Sequence, residues 1–364
     1  RKYFYKLSKG VFYMTKKQKK LIGIIFAIAL CIGIIPAADA MHIMEGFISP
    51  GYCILWGVLS LPFLVMGFMS IKKKITEHRR TLILLAISGA FIFVISSLKI
   101  PSVTGSCSHM TGTGLGAILF GPSAVSVLGI IVLLFQAVLL AHGGLTTIGA
   151  NTFSMAIAGP FMTFGIYKVC QKLNVNKKVS VFLAAALGDL FTYCVTSFQL
   201  AVAYPSESGG IGASMIKFLG VFAVTQIPLA ILEGLLSVII ISVLEVYAKN
   251  ELADLNYVNT KPSKIKGSVI ACVLAAVLIA FVPFFALKGA DFGGSDDAGS
   301  EMVSEIQGEE YEPWFAPVLE TYLGGEIPGE IESLLFCLQT GIGTSIIAFC
   351  VGRLIERRKK EKNE

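Results

Sequence analysis

The sequence predicts an all-α integral membrane protein: a helical bundle of about seven crossings followed by a two-span C-terminal module. Of its 364 residues, 54% are hydrophobic and 15% are charged, whereas soluble domains carry about 25% charged residues. The basic residues gather at the ends of long apolar runs, where membrane proteins place them on the cytoplasmic side. The net charge of +6 is therefore explained by basic residues that flank membrane spans, and it does not indicate a nucleic-acid partner.

The chain begins with a predicted leader over residues 1–40. A basic run at 16–20 precedes an apolar run of about 15 residues, and Ala38-Asp39-Ala40 forms an A-x-A cleavage site, a combination typical of a secretory signal peptide. Residues 1–13 precede Met14, the natural start of such a peptide, and we interpret them as upstream sequence. The alternative is that the leader stays attached as a first membrane span.

Cleavage after Ala40 would leave Met41 as a free amino terminus with His42 in second place. The α-amine, the Met41–His42 peptide nitrogen and the His42 imidazole can then close chelate rings on a single ion. A peptide nitrogen gives up its proton only to a strongly polarising late divalent metal such as nickel, copper or cobalt, and those ions suit planar nitrogen sets. On this stretch alone, a histidine in second place by coincidence is an equally good interpretation.

Eight apolar runs are long enough to span a bilayer, or nearly so. They lie at about 50–71, 81–98, 122–141, 152–168, 180–203, 216–248, 268–287 and 333–354.

The basic residues orient these runs. Basic residues at 72–74 and 79–80 predict a cytoplasmic first loop, which places the mature amino terminus outside the cytoplasmic membrane of a bacterial cell. The basic stretch 353–360 places the carboxyl end in the cytoplasm. The number of crossings counted from the amino end differs by one from the number counted back from the carboxyl end. The glycine-rich segment 111–121 must supply the missing crossing. So short a crossing is tolerated only where neighbouring helices bury it or where it lines a cavity.

Composition divides the chain into domains. Residues 41–250 form the predicted metal-capture membrane domain, and 251–267 form a polar, basic cytoplasmic linker. Residues 268–364 form a two-span module whose acidic, glycine-rich loop, 288–332, lies outside the cytoplasm. Such a loop either collects cations electrostatically or is a solvated loop kept outside because it lacks positive charge.

Histidines at two further places are candidate ligands. His109 lies on the same outer face as the mature amino terminus, where its imidazole can complete a four-nitrogen site. His142 falls on that face too. Its role is that of a ligand, a hydrogen-bonding neighbour of the ligands, a gate residue or a helix cap, and the sequence leaves these alternatives open. Cys107 is either a soft-metal ligand or a packing residue. His78 lies in the basic loop and is interpreted as a solvated residue.

Hydroxyl and amide side chains near the ligands are candidates to orient the imidazoles or to line a path for the metal. With Cys107 and His142, this group contains Ser106, Ser108, Thr111, Thr113, Gln136 and Asn151.

Three motifs in this order resemble the CbiM family, the substrate-capture subunits of energy-coupling-factor cobalt and nickel transporters. They are MHIMEGF at 41–47, GSCSH at 105–109 with TGTGLG at 111–116, and HGGLTTIGAN at 142–151. The tail resembles CbiN, the small accessory subunit of the cobalt systems. Its motifs are ADFGGSD at 290–296, YEPWFAP at 311–317 and GEIESLLF at 329–336. The chain resembles a fusion of the two.

The resemblance implies a bundle of six or seven helices that takes up Co²⁺ from outside for cobalamin synthesis. It implies that Met41, His42 and His109 hold the metal, and that the CbiN-like loop lies close to them and assists loading. Met110 stands where the family pattern has proline, which would loosen the loop but leaves the histidine in place. The implied partners are a transmembrane coupling subunit and cytoplasmic ATPase subunits, since this sequence has no G-x-x-x-x-G-K-[ST] motif.

Other interpretations compete with cobalt capture. Nickel suits the same nitrogen donors, and only the CbiN-like tail favours cobalt. A membrane metalloenzyme using the histidines is disfavoured, because the sequence has no H-E-x-x-H pair and no carboxylate at a ligand-like spacing. We therefore predict a transport subunit and not an enzyme. A passive channel remains an alternative, distinguished by whether uptake requires an ATPase.

Overall fold

The computed structural model describes residues 42–101, 106–257, 265–286, 293–325 and 327–363. The predicted leader, Met41 and part of the predicted cytoplasmic linker lie outside these ranges.

The described chain is almost entirely helical, as predicted. In chain order the described α-helices are α1 (Pro50–Glu77), α2 (Leu82–Ile95), α3 (Thr113–Phe120), α4 (Pro122–Leu139), α5 (Ile148–Asn151), α6 (Gly159–Lys172), α7 (Lys177–Ala203), α8 (Gly210–Tyr247), α9 (Lys249–Asp254), α10 (Ile265–Ala286), α11 (Ser295–Gln307), α12 (Val318–Leu323) and α13 (Gly329–Asn363). A short 3₁₀ turn, Arg79–Thr81, leads into α2, and a π-helical turn, Thr152–Ala158, joins α5 to α6.

Several of these helices are long and apolar enough to cross a bilayer. Within the described ranges there are six: Pro50–Glu77, Pro122–Leu139, Ile148–Lys172, Lys177–Ala203, Gly210–Tyr247 and Ile331–Lys359. The 14-residue helix α2 is shorter but strongly apolar, and α10 contains the apolar stretch Val269–Ala280. This is a multi-pass membrane fold.

Helix α3 lies within residues 111–121, the segment that the charge pattern predicts as an extra crossing. All eight of its residues are buried, which satisfies the condition that a short, irregular crossing be covered by protein. Its last residue, Phe120, accepts a hydrogen bond from Lys74 near the end of α1. Helix α4 then turns back along α1, where the Ser126 hydroxyl donates to the Phe63 carbonyl. The chain thereby returns to the end of the bundle at which His42 lies.

A π-helical turn interrupts the span 148–172 just after Asn151. Such turns are often found at functional sites, and Pro160 follows it near the start of α6. The N-terminal part of this span approaches α1 very closely, since a Cβ added at Gly149 would lie 2.5 Å from the Gly57 backbone. Small residues permit this approach, as is common between membrane helices.

The C-terminal module packs directly on the capture bundle. Helix α10 lies along α8, and α13 lies along α2. Helix α9 occupies the first part of the predicted linker, where Leu252 is buried and Glu251 pairs with Arg357 of α13 at 3.2 Å. Helix α11 contributes Val303 and Ile306 to a hydrophobic core that also contains Ile43, Phe47 and Phe218.

Extended structure is confined, among the described residues, to three very short strands. β1 (Ile100–Pro101) pairs antiparallel with β2 (Ser106–Ser108), and β2 pairs in parallel with β3 (Gly293–Gly294). The third strand belongs to the C-terminal module and aligns Gly293 with Ser106. The module is therefore hydrogen-bonded to the loop that carries His109.

Candidate metal centre

Three buried histidines converge at one end of the bundle. His42 lies in the segment before α1, His109 follows β2 and His142 follows α4. One ring nitrogen of each lies within 4.8 Å of the others, and the ring centroid of His42 is 4.6 Å from that of His109 and 4.8 Å from that of His142. Imidazole suits the late divalent metals, so the cluster has the chemistry of a metal site.

The hydrogen bonds of His109 indicate its tautomer. Its Nδ1 lies 2.9 Å from the Met110 carbonyl oxygen, and because a carbonyl only accepts, Nδ1 carries the proton. Nε2 is then left with a free electron pair, and it lies 3.3 Å from Nε2 of His142. In the absence of metal, Nε2–H of His142 donates to His109. His109 can therefore bind a metal through Nε2, with His142 beside it.

Burial keeps the three imidazoles neutral. Removal from water lowers the pKa of His42, His109 and His142, that of His109 to about 4. For His42 and His142 the neighbouring imidazoles lower the pKa further. Neutral imidazole is the form that coordinates metals. Nε2 of His42 also lacks a hydrogen-bond partner among the described residues, and an unpaired buried nitrogen of this kind is suited to a ligand.

Residues around α5 fix the backbone next to His42. Asn151 accepts from the Ile43 N–H at 2.9 Å and donates to the Ile43 carbonyl at 2.9 Å. The Thr147 hydroxyl donates to the same carbonyl at 2.7 Å. The Asn151 side chain thus pairs with both backbone polar groups of Ile43, which fixes the backbone next to His42 and, with it, the position of the imidazole.

Glu45 ties the His42 segment to the loop after His142. Its carboxylate accepts from the backbone N–H groups of Leu145 at 2.6 Å and Thr146 at 2.7 Å, and also from the Thr146 hydroxyl. The residue is only 3% exposed, so these donors compensate a charge that burial would otherwise make very costly. The segments that carry His42 and His142 are held together as one unit.

The His109 loop is anchored from α7 and α8. Tyr193 donates its hydroxyl to the His109 carbonyl at 2.7 Å. Glu233 accepts from the backbone N–H groups of Thr111 at 2.8 Å and Gly112 at 2.9 Å, and Asp189 accepts from Thr111 at 3.1 Å. The backbone on both sides of Met110, which is fully buried, is therefore fixed. The structure gives no sign that methionine at this position loosens the loop.

The other predicted neighbours of the site take structural positions around it. Thr113 and Thr111 join their hydroxyl groups at 3.1 Å. Ser108 accepts from Gln226 at 2.5 Å, and buried Gln136 donates to the Ser96 hydroxyl at 3.1 Å. Ser106 and Cys107 contribute their backbone to β2, and their side chains, like Met41, lie outside the described structure.

Tyr193 and Glu45 are among the anchoring residues that were not candidates identified from the sequence. Tyr193 was available as a hydroxyl within a membrane span, and Glu45 as a charge within a mostly apolar segment. Either pattern indicates a group that must find a buried partner. The sequence did not indicate which partner each would find.

Aromatic residues of the C-terminal module cover the His42 segment. Tyr311 donates its hydroxyl to the Gly46 carbonyl at 3.2 Å, and the Trp314 indole donates to the Ile48 carbonyl at 2.8 Å. The rings of Tyr311 and Phe47 are 4.6 Å apart. The loop thus lies against the segment that carries His42 and is not fully solvated.

We expect Gly46→Ala to displace this aromatic cover. Gly46 has a positive φ of 65°, and a Cβ there would lie 2.5 Å from the backbone of Phe315. The variant should melt at a lower temperature and gain protease cleavage within residues 308–325. Gly308→Ala is the matched control, because its φ is 71° but nothing lies within 4 Å of its Cβ. The backbone strain of about 1 kcal/mol is common to both, so equal protease resistance in the two variants would contradict the clash.

Both parts of the chain match known protein families. Residues 42–251 match a family described as the cobalt uptake substrate-specific transmembrane region, CbiM, and residues 265–364 match the cobalt transport protein component CbiN.

Individual relatives cover the first of these regions. The cobalt transport protein CbiM of Lachnoclostridium phytofermentans is 70% identical over 246 residues, which is 68% of this chain and 98% of that protein. That of Chlorobium limicola is 63% identical over 213 residues, 58% of this chain and 84% of that protein. A crystal structure of a transition metal transporter is 28% identical with a TM-score of 0.50, covering 60% of this chain and 98% of that one.

Proposed function

Since this chain belongs to the CbiM family of cobalt uptake membrane proteins and carries a CbiN component in tandem, we propose that it captures Co²⁺ as the substrate-binding subunit of an energy-coupling-factor transporter. The captured metal serves cobalamin synthesis. Relatives in the family are named as transport proteins, and the role proposed here is transport without catalysis by this chain.

The observation that carries the proposal is the convergence of His42, His109 and His142 in one buried cluster. Three segments that are distant in sequence meet there, and each is anchored by buried hydrogen bonds. Histidines with a purely structural role do not need to converge on anchored segments in this way. Neutral nitrogen donors that are held rigidly suit a late divalent metal. They do not suit calcium or magnesium, which prefer oxygen ligands.

We propose that the metal is held by the Met41 amine, the Met41–His42 peptide nitrogen, the His42 imidazole and His109. In the metal-free protein His142 donates to Nε2 of His109 and so positions it, and the incoming metal takes the place of that hydrogen bond while His142 stays beside the ligand. Residues 41–250 form the capture domain, 251–267 the linker and 268–364 the accessory module, whose loop assists loading. A cavity of about 20 Å³ beside His42 has room for about one water-sized particle, and Gly299 of α11 contributes to its wall.

Nickel is the alternative substrate. The same nitrogen set accommodates Ni²⁺, and the CbiN component is the feature that favours cobalt. Competition between the two ions for the purified protein distinguishes them.

Accumulation in proteoliposomes tests the transport proposal. The sequence has no phosphate-binding loop for ATP, so this chain alone has no energy source. We expect it to concentrate Co²⁺ above the external level only when the coupling subunit, the ATPase subunits and ATP are present, with the mature amino terminus facing the added metal. Accumulation without ATP or partners would contradict this role, and equilibration alone by the isolated chain would favour a passive channel.

A further inference from the structure

A buried ion pair joins the accessory module to the neighbourhood of the histidine cluster. Nζ of Lys99, which lies between α2 and β1, is 2.8 Å from Oε1 of Glu332 in α13. The two side chains are only 9% and 14% exposed. Phe336 lies one helical turn after Glu332, and the Lys99 ammonium stands 4.3 Å from the centre of its ring. The cation is therefore enclosed by one face of α13.

Phe336 links this cation to the metal centre. Its ring centroid is 5.3 Å from that of His142, with the two planes nearly perpendicular. The Lys99 ammonium thus lies within about 10 Å of the His142 ring, and little water separates them because Phe336 and His142 are both buried. Burial is the main cause of the lowered pKa of His142, and the Lys99 charge adds to it. The positive charge of Lys99 therefore contributes to the electrostatic potential at the histidine cluster.

A positive charge in this position opposes the binding of a divalent cation. With an effective dielectric constant of about 20, one unit charge at about 10 Å changes the Kd of a divalent ion by up to a few hundred-fold. Salt screens buried charges much less than exposed ones. An uncompensated Lys99 would therefore weaken the centre under all ordinary salt conditions.

We propose that Glu332 raises the affinity of the histidine cluster for divalent metal by neutralising Lys99. Glu332 acts through Lys99 and is not a ligand. The accessory module thereby contributes a charge, in addition to its loop, to metal capture. This inference rests on the proposed binding of Co²⁺ at the cluster.

Calorimetric titration of the purified, metal-free full chain with Co²⁺ tests the proposal. We expect Glu332→Gln to raise the Kd at least about tenfold, at low and at high ionic strength, because Lys99 is then uncompensated. The double variant Lys99→Met with Glu332→Gln removes both charges and should bind within about threefold of the parent chain. Glu332→Asp keeps the charge and should bind nearly as well as the parent.

The double variant separates charge from a mechanical latch. If the pair only holds α13 in place, removing both partners should be as harmful as removing one, and that outcome overturns the proposal. An unchanged Kd in Glu332→Gln overturns it too. The matched control is Glu305→Gln, which breaks the 2.9 Å pair with Lys217 between the same two modules. That pair is solvent-exposed and should leave the Kd unchanged.

Two further readouts keep the outcomes distinct. Melting temperatures of the metal-free variants identify any that lose the fold, in which case the charge-conserving Glu332→Asp and the double variant decide the question. If the parent chain itself binds no Co²⁺, the proposed function fails. If the parent binds and Glu332→Gln binds equally well, only the present inference fails.

Discussion

We expect His109→Ala to abolish high-affinity Co²⁺ binding, whereas His142→Ala should weaken it by about 10- to 100-fold. His109 presents a free Nε2 to the cluster, since its Nδ1 proton is directed to the Met110 carbonyl. Loss of that electron pair removes one metal–ligand bond outright. His142 orients the ligand from a neighbouring position, and loss of such a group typically costs about 10- to 100-fold in metal affinity. Titration calorimetry with metal content per chain measures both effects.

His78→Ala is the matched control for this pair of variants. The His78 side chain is 44% exposed and lies 3.7 Å from Asp254 in a turn remote from the cluster. It should leave one Co²⁺ bound per chain with unchanged affinity. If His142→Ala loses binding as completely as His109→Ala, the assignment of His142 as an orienting residue is wrong. The metal would then be held by three imidazoles.

The membrane fold was largely predictable because lipid imposes few solutions. Within lipid, apolar runs of sufficient length in a chain of this kind must be helices, because a helix satisfies all of its backbone polar groups internally. The charge pattern predicted an extra crossing at residues 111–121, and the structure has α3 there, a helix too short and glycine-rich to be recognised by hydropathy alone. Its complete burial is what permits it to exist in a membrane protein.

The partners of buried polar groups were not predictable in the same way. His109 was identified as a candidate from its motif, but its anchors, Tyr193 and Glu233, lie 84 and 122 residues away from the groups that they contact. Such pairings depend on how the helices rotate against one another, and a single sequence does not encode that in any local pattern. The same holds for Lys99 and Glu332, which belong to different modules.

The leader provides the second decisive experiment, because the proposed ligand set requires a free amine at Met41. Signal peptidase needs small residues at the A-x-A site, so replacing both Ala38 and Ala40 with leucine should leave the leader attached. We expect the uncleaved chain to bind no Co²⁺ with high affinity, since the electron pair of an amide nitrogen in place of the amine is delocalised into the carbonyl and a second peptide nitrogen would have to lose its proton to bind. Intact mass identifies the amino terminus, and calorimetry measures binding.

The control for cleavage is Ala40→Ser, which keeps a small residue at the site and should yield a mature chain that binds as the parent does. A chain that retains its leader and still binds one Co²⁺ tightly would exclude the amine as a ligand. Combined with total loss in His142→Ala, that result would assign the metal to His42, His109 and His142. Loss of binding in the uncleaved chain, with only partial loss in His142→Ala, would instead favour the four-nitrogen set and make proteolytic processing the step that creates the site.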